Sequence, residues 1–194
     1  MAIDDFKNLK NYLDSFGAEV VENAKSNLKA KDKGGGKLEK SIDFKVVPEG
    51  NGFVVQFFME DYGTFVDKGV KGAGGTIGEK SWGGRRHFVN WKGKRQDSPY
   101  KFGKSRNGGL TKGISKWIKT KGLKGRDKKS GRYITDKALV FLIARRIYIA
   151  GIHGISFFQK SLMLGMKKYG EHLLGAVKED ILGTLIASVD SKEV

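Results

Sequence analysis

Apolar residues recur every three or four positions along the first part of the chain. This spacing places them on one face of a helix of about 25 residues. The stripe consists of Ile3, Phe6, Leu9, Leu13, Phe16, Val20, Ala24 and Leu28. The segment 31–40 (KDKGGGKLEK) then breaks the pattern, and its triple glycine predicts a flexible connector.

The next stretch alternates apolar and polar positions. Ile42, Phe44 and Val46 alternate first, and a second set follows a turn-rich PEGNG sequence at 48–52. That second set consists of Phe53, Val55 and Phe57. Two alternating runs around a turn predict a β-hairpin with one apolar face.

Helical spacing returns in the second half of the chain. Residues 113–122 predict a short helix that ends at Gly122, with an apolar face of Ile114, Trp117 and Ile118. Thr135 or Asp136 is a candidate N-cap for a helix that reaches Gly151, and its apolar density predicts a largely buried, central element.

Two further helices are predicted towards the C-terminus. Ser156 is a candidate cap for one, and an amphipathic stripe of Leu173, Val177, Ile181, Leu185 and Val189 indicates the other. Glycine weakens a helix interior, so close packing against a neighbouring helix or subunit is expected where glycine recurs. These positions are Gly165, Gly170, Gly175 and Gly183.

Positive charge changes this picture because it is confined to one segment. The chain carries 37 Lys+Arg against 21 Asp+Glu, a net charge of +16. Between Lys71 and Thr135 there are 19 basic and 3 acidic residues, and the remaining residues balance at 18 of each. The same segment holds 14 of the 28 glycines, which predicts long loops or hairpin arms facing solvent or an anionic neighbour.

Aromatic residues are interleaved with these charges, a composition that suits sequence-independent contact with nucleic acid. The residues expected to contact nucleic acid or another partner are Arg85, Arg86, Lys92, Lys94, Arg95, Lys101, Lys104 and Arg106. His87 is expected to extend this basic patch. A solubilising loop, an acidic protein partner and a membrane surface are the alternative interpretations of the segment.

Candidate chemistry is sparse. With no cysteine, disulfides and thiolate sites are excluded, and the three histidines lie far apart without metal-ligand spacing. The Gly-Lys-Ser sequence at 103–105 lacks the strand and glycine of a phosphate-binding loop. We therefore expect no enzyme activity, no metal and no cofactor. The acidic N-terminus predicts no signal peptide, and the longest apolar run, 138–144, is too short to span a membrane.

One short motif follows the predicted hairpin. Residues 61–69 (DYGTFVDKG) contain Tyr-x-x-Phe-Val-acid-x-Gly, carried by Tyr62, Phe65, Val66, Asp67 and Gly69. This motif resembles that of the tail-completion, or head-tail joining, proteins of tailed bacteriophages. The segment 151–158 (GIHGISFF) resembles the sequence that introduces the C-terminal helix of that family. Core packing at a strand-to-loop corner is the alternative role for Tyr62, Phe65 and Val66.

The resemblance implies a structural protein of the virion neck, made and assembled in the cytoplasm of a bacterial host. Such a protein would form a homo-oligomeric ring between the portal or adaptor ring and the tail proteins, with genome DNA in its lumen. The basic segment is longer than the family pattern, so its role as an arm near DNA or a neighbouring ring protein is open. A free, sequence-independent nucleic-acid-binding protein is the alternative function.

The expected fold is α+β. A small antiparallel sheet packs against an N-terminal helix and C-terminal helices, and a long basic, glycine-rich insertion interrupts them. The expected organisation is 1–70 for the first helix, hairpin and motif, 71–135 for the insertion, and 136–194 for C-terminal helices of the same domain.

Overall fold

The computed structural model describes residues 6–31, 35–50, 52–77, 79–102 and 109–190, with side chains up to residue 182. Within these ranges the chain is α+β, as predicted, with three small antiparallel two-stranded sheets. The helices are α1 (Lys7–Lys29), α2 (Lys37–Ser41), α3 (Gly63–Lys68), α4 (Gly109–Lys121), α5 (Asp136–Ala150), α6 (Phe157–Gly170) and α7 (Leu173–Asp190). The strands are β1 (Asp43–Glu49), β2 (Gly52–Phe58), β3 (Gly75–Ile77), β4 (Lys80–Trp82), β5 (His87–Val89) and β6 (Arg95–Asp97).

The chain divides into two compact units. Unit 1 comprises Met1–Asp67, Val89–Arg95 and Ile155–Val194, and unit 2 comprises Lys68–Phe88 and Gln96–Gly154. The predicted three-part organisation stays a prediction. Helix α5 belongs to unit 2, where it packs against α4.

The core of unit 1 lies between α1, the β1–β2 hairpin and α6. The predicted hairpin is confirmed, with Phe44 opposite Phe57 and Val46 opposite Val55. Those side chains lie on one face of the sheet because side chains alternate along each strand. The predicted first helix is confirmed from Lys7 onward. Helix α2 occupies part of the segment predicted to be a flexible connector. That prediction was wrong there, because Leu38 is buried in the core and holds the turn of helix in place.

Close packing explains one of the four helical glycines. A Cβ atom at Gly165 of α6 would lie 2.7 Å from Val20 Cγ2 and 2.9 Å from Phe16 Cε2, both on α1. Because α1 approaches this closely, no larger residue fits without movement. At Gly170 and Gly175 a Cβ atom would meet no described neighbour within 4 Å, so packing against another helix of this chain does not account for them. Packing against another subunit stays a prediction there, and the packing at Gly183 lies beyond the described side chains.

A carboxylate of α7 caps the start of α1. Asp180 is 5% exposed, and its two carboxylate oxygens accept hydrogen bonds from the backbone N–H groups of Asn8 and Leu9, at 2.9 and 2.8 Å. The first N–H groups of a helix have no partner within the helix, and a negative charge there is stabilising. Asp180 therefore ties the last described helix to the first.

The core of unit 2 is smaller and lies between α4 and α5. Ile114, Ile118 and Ala144 are buried there, as the predicted face of α4 requires. Trp117 does not join them and is 48% exposed. The prediction that α5 is largely buried was wrong, because α4 covers only one of its faces. The apolar residues on the open side, Phe141, Leu142 and Tyr148, are 60%, 53% and 46% exposed.

The ends of α5 follow the sequence signals, whereas the start of α6 does not. The Thr135 hydroxyl accepts a hydrogen bond from Ala138 N at 3.3 Å, and α5 ends at Gly151, whose φ is 79°. Ser156 precedes α6 as predicted but has a φ of 53° and makes no capping bond. Its hydroxyl instead accepts a hydrogen bond from Val89 N, also in unit 1.

Two partly buried carboxylates make unit 1 sensitive to acid. The hydrogen bond from Lys168 holds the pKa of Glu19 below its usual 4.5, and the bond from Gly35 N does the same for Glu39. A carboxylate whose pKa is lower in the folded state than in the unfolded state stabilises the fold at pH values above its unfolded-state pKa. This stabilisation is lost as the pH falls through the folded-state pKa. We expect the free energy of unfolding to decrease below about pH 4.5. Urea unfolding from pH 7 to pH 3 measures this decrease.

The matched variant is Glu19→Gln with Glu39→Gln. It cannot titrate at these positions, so its stability should change less between pH 5 and pH 3 than that of the wild type. Equal acid dependence of the two proteins would contradict the assignment.

Candidate functional site

The structure brings the two motif segments together within unit 1. Ile155 N donates to Val66 O at 3.0 Å, and Ser156 N donates to Asp67 O at 2.9 Å. The Asp67 carboxylate is almost completely buried, with 2% of the residue exposed. Its Oδ1 accepts hydrogen bonds from Phe158 N at 2.8 Å and from Gln159 N at 3.4 Å. Asp67 of the first motif is therefore the N-terminal cap of α6, the helix that the second motif introduces.

In unit 2, the adjoining residues of both segments form a backbone pair. Val70 and Ile152 exchange two N–H···O hydrogen bonds of 2.9 Å. Gly69 has a φ of 75°, and a Cβ atom there would lie 2.5 Å from both Gly154 N and Ile152 O. The buried Ser98 hydroxyl donates to Gly69 O at 2.8 Å. Only glycine satisfies both the conformation and this close backbone approach.

The three apolar residues of the first motif differ in environment. Val66 packs against the core of unit 1, as the scaffold interpretation requires. Tyr62 and Phe65 remain 44% and 43% exposed, so core packing does not describe them. Tyr62 immediately precedes the short helix α3, and Phe65 lies within it.

Three of the predicted contact residues lie together between β5 and β6: Lys92 and Lys94 on the turn, and Arg95 at the first position of β6. The Asn90 side chain accepts hydrogen bonds from Lys92 N and Lys94 N, at 3.0 and 2.9 Å, which orders the turn. The Lys92 ammonium lies 4.9 Å from the centre of the Trp91 ring. Lys92, Lys94 and Arg95 are all exposed. They form a basic tip within unit 1 that is available to an anionic partner.

Arg85, Arg86 and Lys101 lie in unit 2. Arg85 and Lys101 are exposed, whereas Arg86 is partly buried and its Nε has no hydrogen-bond partner among the described residues. Burial, and secondly the charge of Arg86, hold the pKa of His153 below its usual value. This histidine is therefore neutral at pH 7 and adds no positive charge. Lys104 and Arg106, also predicted contact residues, lie outside the described residues.

His87 does not simply extend the basic patch. Its Nδ1 lies 2.7 Å from a carboxylate oxygen of Asp97, so the imidazole already has an acidic partner. Within the residues that the structure describes, no three His, Cys, Asp or Glu side chains come close enough to hold a metal ion. Nor does any helix there have the length and apolar character needed to cross a membrane.

A second basic turn, which the predicted contact residues did not include, lies in unit 2. We call residues 124–133 the 124–133 turn. Arg126 and Tyr133 form a backbone bridge, and Asp127 N donates to Arg132 O at 2.8 Å. The Asp127 carboxylate oxygen Oδ1 accepts from Lys129 N, Ser130 N and the Ser130 hydroxyl, at 3.1, 2.7 and 2.9 Å. The bonds from Ser130, and then that from Lys129 N, lower the pKa of Asp127. Asp-Lys-Lys-Ser-Gly is a turn-forming sequence, and that signal could have located this site.

Exposed apolar surface also marks α4, α5 and α7. A groove of about 390 Å³ in unit 2 is lined by Gly109, Leu110, Gly113, Ile114, Trp117, Ile143 and Ile147. On α7, Leu174 is 79% exposed and Leu182 is 46% exposed. Large apolar side chains are thus exposed on α4 and α5 of unit 2 and on α7 of unit 1.

Comparison with known proteins gave no match. No family model, no curated protein and no solved structure is significantly similar to this chain.

Proposed function

We propose that this chain is a structural protein of the neck of a tailed bacteriophage. In this proposal it forms a homo-oligomeric ring that joins the portal or adaptor ring to the tail proteins, and it has no enzymatic role. The supporting observation is the capping of α6 by Asp67, because it joins the two segments that carry the resemblance. Asp67 and Gly69 of the motif thus each have a defined physical role, Asp67 in unit 1 and Gly69 in unit 2. The chain would act in the virion, after assembly in the bacterial cytoplasm.

Ring formation is supported by the open apolar faces of α5 and α7. Phe141 and Leu142 on α5, and Leu174 and Leu182 on α7, are between 46% and 79% exposed. Complete burial of a fully exposed side chain of this kind contributes about 1.5–3 kcal/mol, and each of these partly exposed side chains contributes a fraction of that. Two different surfaces on one chain suit the head-to-tail contacts that close a ring.

The net charge of +16 supports a position near DNA. A ring repeats the basic turns of each copy around its axis, and those charges repel one another without an anionic neighbour. Duplex DNA in the lumen supplies one phosphate charge per about 1.7 Å and offsets that repulsion.

Self-association gives a direct test of the ring. We expect the purified chain to form a closed oligomer in mass photometry and negative-stain electron microscopy, because the apolar faces of α5 and α7 are left open. Phe141→Gln with Leu174→Gln should shift the particles towards the monomer of 21.4 kDa. The control is Val54→Gln, which changes a 38% exposed apolar residue of the β1–β2 hairpin and should leave the oligomer intact.

Mass spectrometry of purified virions tests the neck assignment itself. Copies of the chain should be found together with portal and tail proteins. A monomer at every concentration, combined with its absence from virions, would contradict the proposal.

The second candidate is a free nucleic-acid-binding protein, favoured by the two exposed, ordered basic turns. It requires tight binding by the isolated chain that weakens steeply with salt. Tight binding together with absence from virions would favour this candidate over the neck protein.

A further inference from the structure

The 124–133 turn concentrates positive charge on a short, exposed piece of backbone. It carries Lys124, Arg126, Lys128, Lys129 and Arg132, with Asp127 as its one acidic residue. All five basic residues are exposed. None of them forms an ion pair within the described part of the chain. Their charge is therefore available to an external anion.

The backbone that carries these charges is ordered by its own hydrogen bonds. Asp127 accepts three of them, Gly131 N donates to Asp127 O at 2.9 Å, and Ile134 N donates to Gly125 O at 3.0 Å. Gly131 has a φ of 67°, a conformation that glycine adopts without strain. A turn that is already ordered loses less conformational entropy when it binds.

The composition of this turn favours nucleic acid over a protein partner. Stable protein interfaces need an apolar or aromatic core that excludes water. Between Lys124 and Arg132 the other residues are two glycines, an aspartate and a serine. Tyr133 is the only aromatic residue of the turn, and Arg126 covers one face of its ring, so the turn has no apolar core of the kind that a protein interface needs. Contact with phosphates needs only positive charge and N–H donors.

The aromatic residue at the end of the turn favours a contact with the phosphate backbone. The guanidinium of Arg126 lies 4.4 Å from the centre of the Tyr133 ring and donates to the Tyr133 hydroxyl. One face of the ring is thus covered by the protein's own side chain. Single-stranded nucleic acid is usually held by bases stacked on aromatic faces, so this arrangement favours a duplex.

We propose that the 124–133 turn binds the phosphate backbone of duplex DNA, without preference for sequence. Lys124, Lys128, Lys129 and Arg132 contact phosphates, while the stacked Arg126 and Tyr133 hold the base of the turn. This proposal rests on the proposed function in one respect: if the chain forms a neck ring, the bound duplex is the phage genome inside that ring. Binding of DNA by the purified full-length chain tests it separately from ring formation.

The experiment measures the fluorescence anisotropy of a labelled 30-base-pair duplex between 50 and 300 mM NaCl. The test variant replaces Lys124, Lys128, Lys129 and Arg132 with glutamine, which leaves Arg126 and Tyr133 in place. The slope of log K against log salt should decrease in magnitude by about 3 to 4, because each phosphate contact contributes about 0.9. Affinity at 50 mM NaCl should fall at least about tenfold.

The matched control replaces Lys7, Lys31, Lys37 and Lys40 with glutamine. These residues are exposed and lie in α1, α2 and the residues between them, and the change in net charge is the same. This variant should keep the wild-type slope to within about 1. Equal slopes for the control and the test variant would show that only total charge matters and would overturn the proposal.

A second pair of variants, equal to each other in net charge, tests whether the hydrogen bonds that order the turn contribute to DNA binding. Asp127→Asn and Asp127→Ala remove the same negative charge, but asparagine retains an acceptor for the Lys129 and Ser130 N–H groups. We expect Asp127→Asn to bind DNA at least as tightly as the wild type and Asp127→Ala to bind several-fold more weakly than Asp127→Asn. Equal binding by the two variants would overturn the role of the ordered turn.

Other ligands define the remaining outcomes. Tighter binding to a single strand of the same length would overturn the assignment to duplex DNA. If the four-residue variant kept its DNA affinity but lost binding to a labelled polyglutamate peptide, the turn would be a protein-binding site and the proposal would fail.

Discussion

Replacing Asp67 with alanine is expected to lower the free energy of unfolding of unit 1 by about 3 kcal/mol. The substitution removes the carboxylate that accepts hydrogen bonds from Phe158 N and Gln159 N. These N–H groups belong to the first turn of α6, and a buried donor without a partner costs about 1–3 kcal/mol. The loss of negative charge at the helix N-terminus adds to this cost.

The comparison variant for this position is Asp67→Asn. Asparagine keeps an oxygen acceptor, so it should cost about 1 kcal/mol. Urea unfolding followed by circular dichroism measures both variants. If alanine cost no more than asparagine, the capping role of Asp67 would be wrong.

Replacing Gly69 with alanine is expected to cost at least about 3 kcal/mol. Left-handed backbone costs a non-glycine residue about 1–2 kcal/mol. At this position the new Cβ atom would also lie 2.5 Å from Gly154 N and Ile152 O, so the paired backbone must move apart. The same unfolding measurement should show a lower midpoint, and hydrogen exchange should show reduced protection at Val70 and Ile152.

Gly131→Ala separates the two contributions to that cost. Gly131 has a similar φ of 67°, but a Cβ atom there would meet no neighbour within 4 Å. It should therefore show only the conformational cost of about 1–2 kcal/mol. Equal losses at Gly69 and Gly131 would contradict the role of the close backbone approach.

Periodicity predicted the elements whose neighbours in space are also near in sequence. The β1–β2 hairpin forms as predicted because its turn and its alternating residues are contiguous in the sequence. Helix α5 begins after Thr135, whose hydroxyl caps its first turn, and ends before Gly151, whose positive φ terminates it. Both boundaries were predictable because each depends on residues within one turn of the helix end. The burial of α5 could not be predicted in the same way. Periodicity gives the apolar face of a helix but not the number of neighbours that cover it.

The two remote caps show what local patterns miss. Asp67 lies 91 residues before Phe158, and Asp180 lies 172 residues after Asn8. The motif pointed to Asp67, but nothing local distinguishes a capping carboxylate from a solvated one. Their burial and their bonds to helix N–H groups appear only in three dimensions.

The sequence showed which segment carries the positive charge, but not which of its residues lie together on ordered turns. Charge counting located the segment, and the structure gathers Lys92 and Lys94 on one ordered turn, with Arg95 directly after it. The 124–133 turn was missed because the predicted contacts were chosen where aromatic residues interleave with charge. In the 124–133 turn no aromatic residue lies between the basic residues, and the hydrogen bonds of Asp127 order the backbone instead.

The bond between Asp180 and the start of α1 has a consequence for the order in which the chain becomes structured. Leu9 leaves the ribosome 171 residues before the aspartate that caps its helix. Unit 2 lies between them in sequence, so all of its residues are synthesised before Asp180. Translation therefore allows unit 2 to become structured first, while unit 1 has to wait for α7 before its first helix is capped.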